Sequence, residues 1–193
     1  MARLCVFCGS TSGIRPSYAE GAKALAAALV ASGHSLVYGG GNVGLMGVVA
    51  DAVLDAGGDV VGVIPHTLME REIGHGGVTR LHVVQSMHER KALMADLSDA
   101  FIALPGGVGT FEELFEAITW TQLGLHRKAC GLLNIDGFYD GLLAFLDHTR
   151  VEGFIKPETR AILAAGTDPV ELIARLLATE LPPVPQWISP RER

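Results

Sequence analysis

The stretch AFIALPGGVGTFEE, residues 100–113, contains the unit from which the fold can be predicted. Its apolar start, residues 100–104, predicts a short buried strand, and the glycine-rich turn at 105–109 ends that strand. A helix is predicted from Thr110 to about Leu123, because apolar residues recur there at helical spacing. A strand followed by a loop and a helix is the repeating unit of a parallel sheet.

The same unit recurs on both sides of this stretch. Six more strands are predicted, at 4–8, 35–38, 59–64, 79–85 and 129–134, with a weak one at 161–164. Further helices are predicted at 16–32, 45–56, 87–97 (with Ser86 as N-cap), 138–152 and 169–177. This alternation predicts an α/β fold, a doubly wound parallel sheet of about seven strands with helices on both faces.

The length of the chain predicts a single domain. A chain of 193 residues leaves no room for two full-sized domains. We expect one nucleotide-binding, catalytic domain over residues 1–181 and a proline-containing tail over 182–193. Residues 66–78 are polar and contain glycine, which favours an irregular loop near a site.

Composition and charge exclude several classes of protein. With 49% apolar and 19% charged residues the chain is not disordered, and its net charge of −6, with no basic stretch, argues against a nucleic-acid polymer as partner. No apolar run approaches the length that crosses a bilayer, and no signal peptide is recognised at the start. Three cysteines, which cannot all pair, favour a cytoplasmic protein with reduced thiols.

Glycine is over-represented, with 24 residues, and several glycines cluster where strands end. Clusters follow the first, second and fifth predicted strands, and ligands bind at that edge of a parallel sheet. Gly40 and Gly41 in the second cluster and Gly106 in the third are therefore predicted to help bind a phosphate through backbone N–H groups. The other interpretation is that these glycines only permit tight turns and close packing.

Two common nucleotide motifs do not fit these loops. Residues 39–44 match the glycine spacing of a dinucleotide fingerprint, but they follow the second strand, and no carboxylate ends the next strand to bind a ribose. The lysine-containing loop of nucleoside triphosphatases is absent from the sequence. A monophosphate is therefore favoured over a dinucleotide or a triphosphate.

Arg90 stands out in the helix predicted after Ser86. At helical spacing it shares a face with Met87, Leu93 and Met94, whereas its charged neighbours do not. A buried guanidinium is costly unless it is paired or meets an anion. The arginine therefore either forms an internal bridge with a carboxylate or binds an anionic ligand.

Glu113 is the natural partner of this arginine. Thr110 at the predicted helix start, with Glu113 three residues later, matches a capping box, which would give this carboxylate a purely structural role. Glu113 also lies at the border of the apolar face, from which it could reach a cleft above the fifth strand. Glu112 and Glu116 are expected to point towards solvent.

The segments SMHERKALM (86–94) and PGGVGTFEE (105–113) resemble the two signatures of the LOG, or Lonely Guy, family. Similar motifs occur at VFCGS (6–10) and VYGGGNVGLMG (37–47). The resemblance implies a Rossmann-like fold and hydrolysis of the N-glycosidic bond of N6-modified adenosine 5′-monophosphates. The products would be the free base, a cytokinin, and ribose 5-phosphate.

The resemblance also implies roles for individual residues. Arg90 and Glu113 would be catalytic, and the substrate phosphate would be bound by Ser10, Gly107, Gly109 and Thr110. Met87 would either flank the purine or pack in the core. A homodimer is implied because the chain is short, like the dimeric members, and neither a cofactor nor a metal is expected.

Other functions are less consistent with the sequence. A non-catalytic carrier of a nucleotide or cofactor is the main alternative. A pyridoxal-dependent decarboxylase needs a suitably placed lysine, and none of Lys23, Lys91, Lys128 and Lys156 is convincing. Cys5 and Cys8 have redox spacing but should face opposite sides of a strand. His66, Glu70 and His75 could form a loose metal site, although solvated loop histidines are favoured.

Overall fold

The computed structural model describes residues 1–72 and 74–181. The predicted tail, 182–193, lies outside the described residues. Seven strands form the sheet: β1 (Arg3–Phe7), β2 (Ser35–Tyr38), β3 (Val60–Pro65), β4 (Arg80–Val84), β5 (Ala100–Ala103), β6 (Cys130–Leu133) and β7 (Leu163–Gly166). The α-helices are α1 (Pro16–Ala31), α2 (Gly44–Asp55), α3 (His66–Glu72), α4 (Met87–Asp96), α5 (Val108–Gln122), α6 (Asp140–Val151), α7 (Pro157–Arg160) and α8 (Pro169–Ala178).

The sheet has the order β4-β3-β2-β1-β5-β6-β7, and every strand pair in it is parallel. The chain builds outward from β1 to β4 and then returns to the other side of β1 with β5. The strand order therefore reverses between β1 and β5, and such a switch point opens a crevice at the carboxyl ends of the strands. The predicted parallel α/β sheet of about seven strands is confirmed.

Helices cover both faces of the sheet, because side chains along each strand alternate between two apolar clusters. In β1 and the residue after it, Leu4, Val6 and Cys8 pack with α1, α2 and α8. Cys5 and Phe7 pack on the opposite face with α4, α5 and α6. The two cysteines of the CVFC segment thus face opposite sides, as predicted. All three cysteines of the chain are buried and form no disulfide.

The prediction of an irregular loop over 66–78 was wrong in its first half. Residues His66–Glu72 form α3, since Leu68, Met69 and their charged neighbours are good helix formers that the nearby glycines obscured. The prediction of a solvated loop histidine was also wrong for His75, which is buried. Among the helices of the described residues, none is both long and apolar enough to cross a bilayer.

Candidate active site

A cleft of about 250 Å³ lies at the switch point of the sheet. Its walls come from the loops after β1, β2 and β5 and from the first turns of α4 and α5. Seven of the residues predicted to form a site line it: Ser10, Met87, Arg90, Gly107, Gly109, Thr110 and Glu113. The topology thus brings together side chains from distant parts of the sequence.

Several glycines of these loops are required by packing of the protein itself. A Cβ on Gly44 would overlap the backbone of Ser10, and Gly44 has a positive φ of 57°. The Leu45 N–H donates to the Gly9 carbonyl at 3.0 Å, and the Gly9 N–H donates to the Pro105 carbonyl at 3.1 Å. Close packing therefore explains the glycines at the points where the loops after β1, β2 and β5 contact one another.

Gly107 and Gly109, in contrast to these glycines, have open space where a side chain would lie. Apart from the adjoining residues and the nearby backbone of the helix itself, no described atom lies within 4 Å of the position that a Cβ would occupy on either residue, and neither has a positive φ. Neither protein packing nor backbone strain therefore requires glycine at these positions. Both residues line the cleft, and without side chains they leave the backbone open to it.

The N-terminus of α5 opens into the cleft without a side-chain cap. The helix begins at Val108 with Gly107 as its N-cap, and no side chain bonds the first N–H groups. The predicted capping box between Thr110 and Glu113 was wrong, because the helix starts two residues before Thr110. The free N–H groups and the positive end of the helix dipole favour an anion here.

Gly106, Gly40 and Gly41 do not belong to the described lining of the cleft. Gly106 lies under Thr110, whose hydroxyl would overlap a Cβ there. Gly40 has a φ of 75° and accepts a hydrogen bond from the His75 N–H at 3.1 Å. Gly41 forms an isolated bridge with Gly74. Their proposed part in phosphate binding stays a prediction.

Arg90 is buried at the cleft, as its position on the apolar face of α4 predicted. The Ser86 hydroxyl caps this helix by accepting from the Glu89 N–H at 3.1 Å, which confirms the predicted N-cap. The arginine residue is only 6% exposed, and its Nε has no hydrogen-bond partner among the described residues. Its Nη1 lies 3.7 Å from Met87 Sδ.

Gly39 is a site residue that sequence reasoning missed. A Cβ on Gly39 would overlap Nη2 of Arg90, so the guanidinium lies directly against the backbone at the end of β2. The only signal in the sequence was the glycine triplet that Gly39 begins. Gly39 therefore leaves the space that the guanidinium of Arg90 occupies at the wall of the cleft.

Glu113 faces Arg90 across the cleft. The Arg90 Nη2 and Glu113 Oε1 atoms are 3.7 Å apart, and the two side chains are 8% and 12% exposed. Burial raises the pKa of the Glu113 carboxyl above its usual value; Arg90 lowers this pKa and Glu112 raises it. The internal bridge is present, but its separation exceeds a hydrogen bond and leaves the arginine Nε unpartnered. The guanidinium of Arg90 and the carboxylate of Glu113 therefore both remain available to a ligand.

Glu112 and Glu116 do more than face solvent. The Lys91 Nζ lies 2.5 Å from Glu112 Oε1 and 3.0 Å from Glu116 Oε1. The expectation of a purely solvated role was wrong, because helix phase alone did not reveal the lysine on the neighbouring helix. Glu112 is half exposed, whereas Glu116 is largely covered.

His75 is engaged by protein groups rather than by solvent. Its Nδ1 accepts from the Gly77 N–H at 3.2 Å, so Nε2 carries the proton in the neutral ring and donates to Asp51 Oδ1 at 2.8 Å. Among the described side chains, no group of three or more His, Cys, Asp or Glu could hold a metal ion.

The cleft does not fit pyridoxal phosphate, which forms its internal link with a lysine. None of the four lysines belongs to the described lining of the cleft. Lys91 is bound by two carboxylates, and Lys128 donates to the Ala95 carbonyl at 2.6 Å. Lys23 and Lys156 are exposed elsewhere.

Solved structures of other proteins have a similar fold. A molybdenum cofactor binding protein from Rippkaea orientalis matches with a TM-score of 0.69 and 23% identity, over 92% of this chain and 98% of that one. The molybdenum cofactor carrier protein of Chlamydomonas reinhardtii matches with a TM-score of 0.71 and 20% identity, over 92% and 99%. At such identities the likeness shows the Rossmann-like fold alone.

Sequence relatives are much closer. A family model described as possible lysine decarboxylase matches residues 46–176. Cytokinin riboside 5′-monophosphate phosphoribohydrolase LOG7 of Arabidopsis thaliana is 55% identical over 174 residues, which are 90% of this chain and 80% of the relative. The probable phosphoribohydrolase LOGL3 of Oryza sativa subsp. japonica is also 55% identical, over 90% of this chain and 82% of the relative. The chain therefore belongs to the LOG family.

Proposed function

We propose that the protein hydrolyses the N-glycosidic bond of adenosine 5′-monophosphates, with or without an N6 substituent, and releases the free base and ribose 5-phosphate. The observation that carries this proposal is the pairing of Arg90 with Glu113 in a cleft that also contains the uncapped start of α5. The activity for which the relatives are named, that of cytokinin riboside 5′-monophosphate phosphoribohydrolases, supports the same reaction.

The 5′-phosphate is proposed to bind at the start of α5. Gly107 and Gly109 leave the backbone open to the cleft, and the hydroxyls of Thr110 and Ser10 line the same space. Backbone N–H groups at a helix start suit a phosphate without requiring a lysine. This placement explains how a weakly charged chain can bind a phosphorylated substrate.

Glu113 is proposed to act on the sugar. Cleavage of a ribosyl–nitrogen bond develops positive charge on the ribose ring, and a nearby carboxylate stabilises that charge or activates the attacking water. The carboxylate of Glu113 is buried, so little solvent weakens its field in the cleft. A phosphate held at α5 would fix the anomeric carbon relative to this carboxylate, and binding energy from the phosphate would then serve catalysis.

Arg90 is proposed to orient Glu113 and to bind the substrate. A guanidinium stays protonated at any physiological pH, so it is a poor general acid. Its Nε has no partner among the described residues and can donate to a ribose hydroxyl or a phosphate oxygen. The arginine thereby connects the substrate to the carboxylate that acts on it.

The base is proposed to lie against the apolar part of the cleft. Met46, Met87 and Val108 line it, and Val108 is 84% exposed at its rim. Apolar side chains suit a purine ring and an apolar N6 substituent better than a charged one.

Product analysis tests this function. Purified protein is incubated with AMP or with isopentenyladenosine monophosphate, and the products are separated by chromatography. We expect free base and ribose 5-phosphate in equal amounts. A non-catalytic carrier would return both nucleotides intact, and that result would refute the proposal. The carrier alternative does not explain why a buried carboxylate faces Arg90.

We also propose that the protein is a homodimer in the cytoplasm. Phe115 and the part of Val108 that faces out of the cleft expose apolar surface on α5, and a second copy would cover it. The three free cysteines suit a reducing compartment. Light scattering of the purified protein tests the dimer, and a fluorescent fusion tests the location.

A further inference from the structure

A partly buried lysine joins the two helices that carry Arg90 and Glu113. Lys91 on α4 donates to Glu112 and Glu116 on α5, at 2.5 and 3.0 Å, and its side chain is only 10% exposed. An ammonium held by two carboxylates at hydrogen-bond distance makes charge-assisted bonds, which are stronger than bonds between neutral groups. The contact therefore fixes where these two helices meet.

This contact is adjacent to the reacting pair on both helices. Lys91 directly follows Arg90, and Glu112 directly precedes Glu113. Arg90 and Glu113 are themselves separated by 3.7 Å, too far for a hydrogen bond to hold them together. The shorter bonds of Lys91 are therefore better suited to fix the spacing of the pair.

Lys91 lies beside Glu113 but outside the described lining of the cleft. Among the described residues that line the cleft are Glu113 and the lysine's partner Glu112, but not Lys91 itself. Lys91, Glu113 and Glu116 instead share a narrow slot with Phe101 and Trp120. The lysine can thus act on Glu113 without touching a substrate in the cleft.

We propose that Lys91 is a positioning residue for the hydrolysis proposed above: its bonds to Glu112 and Glu116 dock α4 on α5, hold Arg90 opposite Glu113, and neutralise the two carboxylates beside Glu113. The inference rests on the proposed function only for its effect on the rate. The docking and the charge balance are properties of the folded chain.

The charges around Glu113 support this role. The charged groups around it are Arg90 and Lys91 on α4 and Glu112 and Glu116 on α5, and the thiols of Cys5 in β1 and Cys8 after it are also within electrostatic range. Burial raises the pKa of both thiols, so they stay neutral. Burial also raises the pKa of Glu113; Arg90 and Lys91 lower it, and Glu112 and Glu116 raise it. Removing Lys91 would leave two uncompensated carboxylates, which would raise the pKa of Glu113 further.

The experiment compares the pH dependence of kcat and KM for AMP in wild type and in variants. Lys91→Met removes the charge and keeps the stem, and Lys91→Arg keeps the charge. Lys23→Met, at an exposed position on α1, is the matched control. A triple variant, Lys91→Met with Glu112→Gln and Glu116→Gln, removes the lysine together with the carboxylates that it neutralises.

The proposal predicts three results. Lys91→Met lowers kcat about 10- to 100-fold with little change in KM, because displaced groups slow the reaction. The acidic limb of its kcat–pH profile moves to higher pH. Lys91→Arg keeps most of the activity. In the triple variant the acidic limb of the kcat–pH profile returns to the wild-type pH or to a lower pH. A wild-type kcat and pH profile in Lys91→Met would overturn the proposal, and so would a defect confined to KM, which would make Lys91 a substrate ligand.

Two further measurements keep the test decisive. If Lys91→Met does not fold, the double variant Glu112→Gln with Glu116→Gln replaces it, and its acid limb must move to lower pH. If wild-type protein releases no base, the proposed function fails, yet NMR titration of the Glu113 carboxyl still tests Lys91. An unchanged Glu113 pKa in Lys91→Met would then overturn the inference.

Discussion

The guanidinium of Arg90 lies against the backbone of Gly39, so closely that a Cβ on Gly39 would overlap Nη2. The end of β2 therefore forms the surface on which the arginine rests, opposite Glu113. This relationship ties a glycine of the second loop to the chemistry of the cleft, although Gly39 itself carries no functional group.

Gly39→Ala should displace the arginine and leave the fold intact. The overlapping atom is the end of a flexible side chain, so the protein can accommodate the methyl group by moving Arg90. We expect kcat/KM for AMP to fall about 100-fold, as for a displacement of about 1 Å in a catalytic group. Steady-state kinetics and thermal unfolding measure the two effects. Gly141→Ala, exposed on α6 with open space around its Cβ position, is the control and should keep full activity.

Gly109→Ala should change stability and activity in opposite directions. The residue lies in the first turn of α5 with open space at its Cβ position, and alanine is favoured over glycine in a helix by up to about 1 kcal/mol. The added methyl group would, however, project towards the proposed phosphate site. We expect a slightly higher Tm and a KM for AMP raised at least about tenfold. Unchanged kinetics would remove Gly109 from the phosphate site.

Glu113→Gln should stabilise the protein near neutral pH. Burial raises the pKa of this carboxyl in the folded state, so its contribution to stability is full below the unfolded pKa and is lost as the pH rises through the folded pKa. A neutral glutamine does not undergo this loss. Thermal unfolding across a pH series should show a higher Tm for Glu113→Gln at neutral pH, with the difference closing in acid. A wild type that is the more stable protein at neutral pH would contradict the assigned environment.

The 5′-phosphate of the substrate should strongly increase the rate of base release. If the start of α5 holds the phosphate, adenosine loses the interaction that fixes its ribose beside Glu113. We expect kcat/KM for AMP to exceed that for adenosine by about 1000-fold, with part of the loss in kcat. Parallel assays of base release measure the ratio. Similar kcat/KM values for AMP and adenosine would show that the phosphate does not contribute to catalysis.

Sequence reasoning predicted the fold because its signals are local. Short apolar runs that end in glycine and alternate with amphipathic segments define a parallel sheet, and the switch point then locates the cleft. Helical spacing likewise placed Arg90 on a buried face. The position of α3 was missed because glycine and polar residues concealed a short run of helix formers in His66–Glu72.

The missed features of the site depend on contacts between distant segments. Gly39 meets Arg90, and Lys91 meets Glu112 and Glu116, only after α4 and α5 pack on the same face of the sheet. The capping-box prediction failed for a local reason, since α5 begins at Val108 with Gly107 as its N-cap, two residues before Thr110. Spacing in the sequence thus indicated which residues to consider, and the packing of the helices decided what each one touches.

The most direct test of the central claim is base release from AMP by wild type and by Glu113→Gln under single-turnover conditions. We expect stoichiometric release of adenine by wild type and a rate at least about 1000-fold lower for the variant, because the carboxylate proposed to stabilise the ribosyl cation is gone. Thermal unfolding of the same samples shows that the variant is folded. A folded Glu113→Gln protein that releases adenine at the wild-type rate would contradict the account.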